Sequence, residues 1–240
     1  MAASMPPQWL ARALAPWRNF IAVYYFETAN RAAGIVPTFD MLMPLRRPAV
    51  GGPIMYPLIE RTERLTVPEA VIASPQVQAM QQAATEILVC INDVHGVETQ
   101  EACGDVHNIV LAIEHEQHCT RGEAVQAVCD LMPVCYDRFL RIEATLPDLF
   151  KALELSEGER RHAETYVRSL RSYLASSNFW SKDTERYILD ALPVEVYGHP
   201  TALTDAFASS TRAATAPTPR AQDHPPDPPP TPHPLWDLRS

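Results

Sequence analysis

From Gln76 to Ile91 the apolar residues Met80, Ala83, Ala84, Ile87, Leu88 and Ile91 recur at three- and four-residue steps. That spacing traces one buried face of an α-helix, and no segment shows the strict alternation of a half-buried strand. An all-helical fold is therefore expected. Asn92, Gly96 and Gln100 then interrupt the apolar face. Steps of four at about 100° per residue keep these positions within roughly 80° of one another, so all three look to one side. An apolar stripe that opens for two turns is the pattern of a helix lining a polar site. The competing reading is an ordinary core helix whose Asn92 and Asp93 are satisfied locally.

The remaining chain reads as further helices. Residues 8–33 carry Trp9, Leu10, Leu14, Trp17, Phe20, Ile21, Tyr24, Tyr25 and Ala29 before Gly34, and so aromatic a helix is expected to be heavily buried. Pro37 and Thr38 open a short helix through Met41 to Arg47, and the segment RRPAVGGP breaks it. A helix over Ile54–Arg64 and a turn over Pro68–Ser74 lead to Pro75, a favourable first-turn residue for the central helix. Gly104 and Asp105 allow a bend before Val106, Ile109, Val110 and Ile113 resume the pattern, with EHEQHCT as a polar loop. Thr120 with Glu123, and Ser156 with Glu159, have capping-box spacing. The first opens a helix running toward Leu149 with a kink expected at Pro133; the second opens one through Tyr166, Leu170 and Leu174.

Charge and composition narrow the function. Twenty Lys and Arg against 29 Asp and Glu give a net charge of -9, which opposes wrapping nucleic acid or an anionic membrane. No apolar run of membrane-spanning length and no basic segment followed by an apolar stretch marks a span or a signal peptide. Cys90, Cys103, Cys119, Cys129 and Cys135 form no C-x-x-C pair and read as reduced thiols of a cytoplasmic protein. His115, Glu116 and His118 lack the four-residue histidine spacing of a helical zinc site. Nine of the 23 prolines fall within residues 201–240, which are expected to form a disordered proline-rich tail, with residues 1–200 as the helical domain.

Three separated segments, in order, resemble the carboxyl-terminal part of bacterial class I terpene synthases. NDVHGVETQ, residues 92–100, is similar to that family's magnesium-binding motif N-D-x-x-S-x-x-x-E, and GDVHNIV follows it. Upstream, FETANRAAGIVPTFDMLMPLRRPAVGG resembles the family's helix-break region, and its Arg46 stands 46 residues before Asn92, the family's spacing for a diphosphate-sensing arginine. Downstream, NFWSKDTERY resembles the terminal Arg-Tyr signature through Arg186 and Tyr187. The resemblance covers roughly residues 9–190.

This resemblance implies a helical bundle of the class I terpene synthase type, lacking its first helices, that ionises a prenyl diphosphate, farnesyl diphosphate above all, and cyclises the cation. Departure of diphosphate is accelerated when metal ions and arginines stabilise the charge that develops. Asn92, Gly96 and Gln100 take the three magnesium-ligand positions, Arg46 senses the diphosphate, and Arg186 with Tyr187 close over it. Tyr25, Phe26 and Trp180 are candidates for the aromatic cavity wall, where ring faces stabilise cations.

The chain also departs from the pattern. Gly96 stands where the family has Ser or Thr, although plant members also carry glycine there. Gln100 replaces a glutamate, and magnesium prefers hard, charged oxygen ligands. A shifted set, Asp93 with Glu101, would share a face of its own. No aspartate-rich D-D-x-x-D motif occurs, and about a hundred residues that the resemblance leads one to expect before it are missing. Weak or absent cyclisation follows as an expectation. So does a second reading, a truncated or decayed noncatalytic homologue. Its exposed cavity wall calls for a homodimer or a partner chain supplying the missing helices.

Overall fold

The computed structural model describes Met5 and residues 7–188. Chain contacts divide the molecule after Tyr187, and the description here concerns the first unit, Met1–Tyr187. The expected proline-rich tail and the boundary at residue 200 lie outside the described residues.

All regular structure among the described residues is helical: α1 (Pro7–Ala33), α2 (Phe39–Ala49), α3 (Gly52–Thr62), α4 (Glu69–Ile72), α5 (Pro75–Ala102), α6 (Ile109–Gln117), α7 (Arg121–Glu143), α8 (Leu146–Ala152) and α9 (Glu157–Asp183), then a 3-10 turn, Glu185–Tyr187. Helix α5 is the central element, packed by α2, α3, α6, α7 and α9. Its start is set by Ser74, whose hydroxyl accepts the Val77 N–H at 3.3 Å, with Pro75 in the first turn. The expected stripe of Met80, Ala83, Ala84, Ile87, Leu88 and Ile91 is buried throughout. One side of α5 packs Val89 and Val97 against Leu42 of α2, Ile109 and Ile113 of α6, and Ala124 and Val128 of α7. Each such side chain contributes about 1.5–3 kcal/mol on burial.

Both capping boxes form, Thr120 with Glu123 and Ser156 with Glu159. The break between α2 and α3 turns at Gly51, whose φ of 78° suits glycine. At Gly52 a Cβ would stand 2.8 Å from Leu88 Cδ1, so the bare backbone lets α3 lie close on α5. These two glycines place the end of α2, and with it Arg46, over the middle of α5.

Several sequence expectations are corrected. Helix α6 runs on to Gln117 and ends at His118, in the left-handed region at φ 52°, so His115 and Glu116 are helical. The helix expected to reach Leu149 divides into α7 and α8, and Pro147, which has no N–H to donate, falls in the first turn of α8. As expected, α7 continues through Pro133. Helix α1 is not heavily buried: only Val23 and Glu27 are, because among the described residues only one side of it is packed.

A charged knot ties α2 and α7 to α5. Arg47 Nε donates to Glu86 Oε1 at 2.9 Å, Gln82 Nε2 donates to the same oxygen at 3.0 Å, and Arg138 Nη2 donates to Oε2. Burial opposes the Glu86 charge, but these donors outweigh it and hold the carboxyl below its ordinary range. Glu86 therefore contributes stability that is complete above the ordinary glutamate range and is lost as pH falls through the depressed value. Thermal unfolding followed from about pH 7 down to about pH 3 should show this loss, and Glu86→Gln should flatten that part of the curve.

Candidate diphosphate site

The three separated sequence segments meet beside α5. Arg46 Nη2 donates to Asn92 Oδ1 at 2.9 Å, and Asn92 Nδ2 donates to the Tyr187 hydroxyl at 2.8 Å. Asn92 is thus the hinge of a line running from the end of α2, across α5, to the turn after α9. Arg46 is buried and also binds Asp93, with Nε donating to Oδ2 at 3.1 Å and Nη2 to Oδ1. Burial favours a neutral guanidinium, yet the adjoining Asp93 carboxylate reverses this and keeps Arg46 charged beyond its ordinary range. These bonds use Nε and Nη2; Nη1 makes no hydrogen bond among the described residues.

A cavity of about 300 Å³ opens beside this line, lined by Val50 at the α2–α3 break, Leu88 and Ile91 of α5, and Tyr173 and Trp180 of α9, with Asn92, Ser176, Ser177, Ser181, Arg186 and Tyr187 as its other lining residues. Tyr187 is fixed by its rings' neighbours, stacked with His95 at 5.8 Å and edge-on to Trp180 at 6.3 Å. The Arg186 guanidinium lies 5.7 Å from the Tyr187 ring centre and makes no ion pair among the described residues. An arginine and a phenol lining the cavity, with the Arg46 guanidinium behind Asn92, can attract a polyanionic head. A larger cleft of about 910 Å³ between α1, α3 and α5 contains none of the expected site residues, and its Arg12 is already paired with Glu60.

Other expected residues fall elsewhere. Tyr25 and Phe26 do not wall the cavity; they stand 75% and 59% exposed on α1. The reason is helical phase: α1 is aromatic on several sides, and it is Tyr24 and Glu27 that share the electrostatic surroundings of Arg46. The Asp93/Glu101 set does not form, since Asp93 is wholly buried against Arg46 and the Ile109 N–H while Glu101 turns outward to Arg121.

Four further residues contribute, of which sequence reasoning missed Glu27 and gave Asp93 only as an alternative partner of Glu101. Asp93 is the partner that fixes Arg46. Asn108 donates to the Asp93 carbonyl at 2.8 Å and to Gln100 Oε1 at 2.7 Å while capping α6. His107, wholly buried, accepts or donates at Asn30 of α1 and at Asp105. Glu27 is buried with one carboxylate oxygen unpartnered, and burial pushes its titration up. For His107 and Asn108 the signal was the GDVHN run, which ties the end of α5 to α1 and α6. Because a buried, unpartnered carboxylate is unfavourable when charged, Glu27→Gln should stabilise the fold by about 1 kcal/mol at neutral pH. The gain should fade as pH is lowered and Glu27 itself becomes neutral. Denaturant unfolding at two pH values reads this out.

Asn92, Gly96 and Gln100 do share one face, but as a donor set they do not fit magnesium. Asn92 Oδ1 already accepts from a guanidinium, Gly96 offers no donor, and Gln100 Oε1 accepts from Asn108. A Cβ at Gly96 would lie 3.0 Å from Gln100 Nε2 and 3.3 Å from the Tyr187 ring, so the missing hydroxyl's place is filled by those two side chains. No group of three His, Cys, Asp or Glu among the described residues is arranged to hold a metal ion. Magnesium requires hard oxygens, preferably anionic, and this set supplies two neutral amides.

Residues 1–138 match the family described as "Terpene synthase family 2, C-terminal metal binding". The chain belongs to the terpene synthase family. Among curated relatives of this terpene synthase chain, it is 31% identical over 188 residues to pentalenene synthase of Streptomyces avermitilis, covering 78% of this chain and 56% of the relative. It is 29% identical to the (-)-beta-caryophyllene synthase of Saccharothrix espanaensis, described as (2E,6E)-farnesyl diphosphate cyclizing, covering 78% of this chain and 53% of the relative. The chain therefore spans about half the length of the relatives it matches. Among solved structures, the linalool/nerolidol synthase of Streptomyces clavuligerus in complex with 2-fluorogeranyl diphosphate aligns with a TM-score of 0.70 at 27% identity, covering 75% of this chain and 61% of that one. The fold is that of class I terpene synthases, represented in about three-fifths of its length. Among the described residues no helix is long and apolar enough to cross a membrane.

Proposed function

We propose that this chain is the diphosphate-recognition half of a terpene synthase-type site, binding a prenyl diphosphate while supporting little or no ionisation by itself. The observation that carries this reading is the Arg46–Asn92–Tyr187 line, at 2.9 and 2.8 Å, which reaches the cavity through Asn92 and Tyr187, beside Arg186. In this reading Arg46 Nη1 and the Arg186 guanidinium bind the diphosphate oxygens. The Tyr187 hydroxyl, which accepts from Asn92, donates its proton to the same head group. Trp180, Leu88 and Ile91 exclude water around the first isoprenoid unit. Farnesyl diphosphate is the proposed substrate class, after the caryophyllene synthase relative. Magnesium is proposed to bind only weakly, since Gln100 brings no charge. A cytoplasmic setting is part of the proposal and agrees with the five free thiols.

A metal-dependent cyclase acting in its own right is the competing reading, and the shared face of Asn92, Gly96 and Gln100 speaks for it. Titration calorimetry of the purified chain with farnesyl diphosphate, farnesol and inorganic diphosphate, run beside an assay for diphosphate release and volatile products, separates the two. Binding of both diphosphates but not of farnesol, without release, is the expected result. A cyclic product formed only with magnesium would overturn it in favour of the cyclase.

A further inference from the structure

Glu27 stands on the packed side of α1 at 5% exposure, and its Oε1 is enclosed without a hydrogen-bond donor among the described residues. The donors around it are spent elsewhere. Arg46 of α2 gives Nε and Nη2 to Asp93 and Asn92. The Asn30 amide, one turn on along α1, lies 3.1 Å from His107 Nε2, and His107 Nδ1 lies 3.2 Å from Asp105. Arg31 turns its Nη2 to Asp105 at 3.7 Å. In this cluster Arg31 and Arg46 stand against Asp93, Asp105 and Glu27, which leaves one carboxylate in excess. Burial pushes the titration of Glu27 upward and Asp105 adds to the push, against the pull of Arg46, His107 and Arg31. Tyr24, one turn earlier, has Glu27, Arg46 and Arg186 in its electrostatic surroundings. This side of α1 therefore lies within reach of both arginines of the diphosphate site.

We propose, on the diphosphate-binding reading above, that Glu27 takes a proton from solvent when a diphosphate head group binds, becoming a neutral carboxylic acid beside Arg46. A charged carboxylate that no donor holds is costly to bury. A polyanion arriving at Arg46 and Arg186 adds repulsion, which one new O–H bond on Glu27 removes. The neighbouring acids are less suited to the proton. Burial pushes Asp93 upward too, but Arg46 donates to both its oxygens and the Ile109 N–H to one of them. His107 donates to Asp105 through its backbone N–H at 3.0 Å, and with Arg31 holds that carboxyl below its ordinary range. Linkage is reciprocal, so a proton on Glu27 strengthens binding by the factor with which binding strengthens protonation. Glu27 then titrates higher in the complex than in the free chain. Binding tightens as pH falls through its titration in the complex and levels off below its titration in the free chain.

Titration calorimetry of the full chain with inorganic diphosphate, repeated at about pH 7.5 in buffers of different ionisation enthalpy, counts the protons taken up on binding. Protonation of the diphosphate itself is common to every variant and cancels in the comparison. The native chain should take up more protons than Glu27→Gln, by a difference approaching about one. Glu27→Asp, which keeps an acid at the position, should take up protons as the native chain does, and so separates loss of the carboxyl from loss of packing. Across a series from about pH 8 down to about pH 6, Glu27→Gln should bind about 10-fold tighter at the upper end and converge on the native chain as pH falls. Equal proton uptake in native chain and Glu27→Gln, or no tighter binding by Glu27→Gln at any pH, overturns this proposal and leaves the diphosphate reading standing. No binding of inorganic diphosphate by any of the three proteins overturns both.

Discussion

Arg46→Ala is expected to destabilise the protein by about 3–5 kcal/mol, the range for breaking a buried ion pair by removing one partner. Arg46 and Asp93 are both buried, and Asp93 faces no other cation within hydrogen-bonding reach among the described residues. Without Arg46 the carboxylate keeps only the Ile109 N–H at 2.8 Å and stands as an uncompensated charge between α2, α5 and α6. The same change removes the donor to Asn92, frees Tyr187 from its line, and should abolish diphosphate binding. Asp93→Asn in the Arg46→Ala background separates these effects. It should return part of the lost stability, because a neutral amide is cheaper to bury than a carboxylate, while returning none of the diphosphate binding. Urea unfolding with calorimetry on the single and double variants measures both. If Arg46→Ala unfolds at the wild-type denaturant midpoint, the Arg46–Asp93 pair does not hold α2 on α5.

That pair also marks where the sequence could be read and where it could not. The central stripe of α5, its Pro75 start and both capping boxes were legible because each depends on residues within two turns of one another. Arg46 could be tied to Asn92 only through the family's spacing, and the structure brings them to 2.9 Å. For Asp93 the sequence offers only an alternative face shared with Glu101, because position on one helix says nothing of which neighbouring helix supplies the counter-charge. Arg46 comes from α2 and Arg121 from α7, each claiming one of those acids. Tyr25 and Phe26 lie away from the 300 Å³ cavity for a related reason. On a helix that is apolar over much of its circumference, periodicity does not choose the buried side, and α1 turns Val23 and Glu27 inward.

Gln100→Glu is expected to raise magnesium affinity by about 10–100-fold, since one added anionic oxygen shifts such sites by decades. In the native chain the Gln100 carboxamide lies over Gly96, its oxygen accepting from Asn108 at 2.7 Å and its nitrogen on the Gly96 side. A glutamate in the same rotamer keeps the Asn108 bond with one oxygen and turns the other, now anionic, toward the face it shares with Asn92. Gly96→Ser would be the less direct repair. Its Cβ meets Gln100 Nε2 at 3.0 Å and the Tyr187 ring at 3.3 Å, so the hydroxyl could be seated only by moving the residue proposed to close the site. Magnesium titration by calorimetry, with manganese binding followed by electron paramagnetic resonance, reads the change without depending on turnover. Tighter binding in Gln100→Glu, with diphosphate affinity becoming metal-dependent, would mean that the polar face of α5 is a metal position disabled by a single amide. Unchanged affinity would mean that Asn92 is committed to Arg46 and Tyr187, so that the carboxylate alone cannot assemble a magnesium site and recognition here rests on the two arginines.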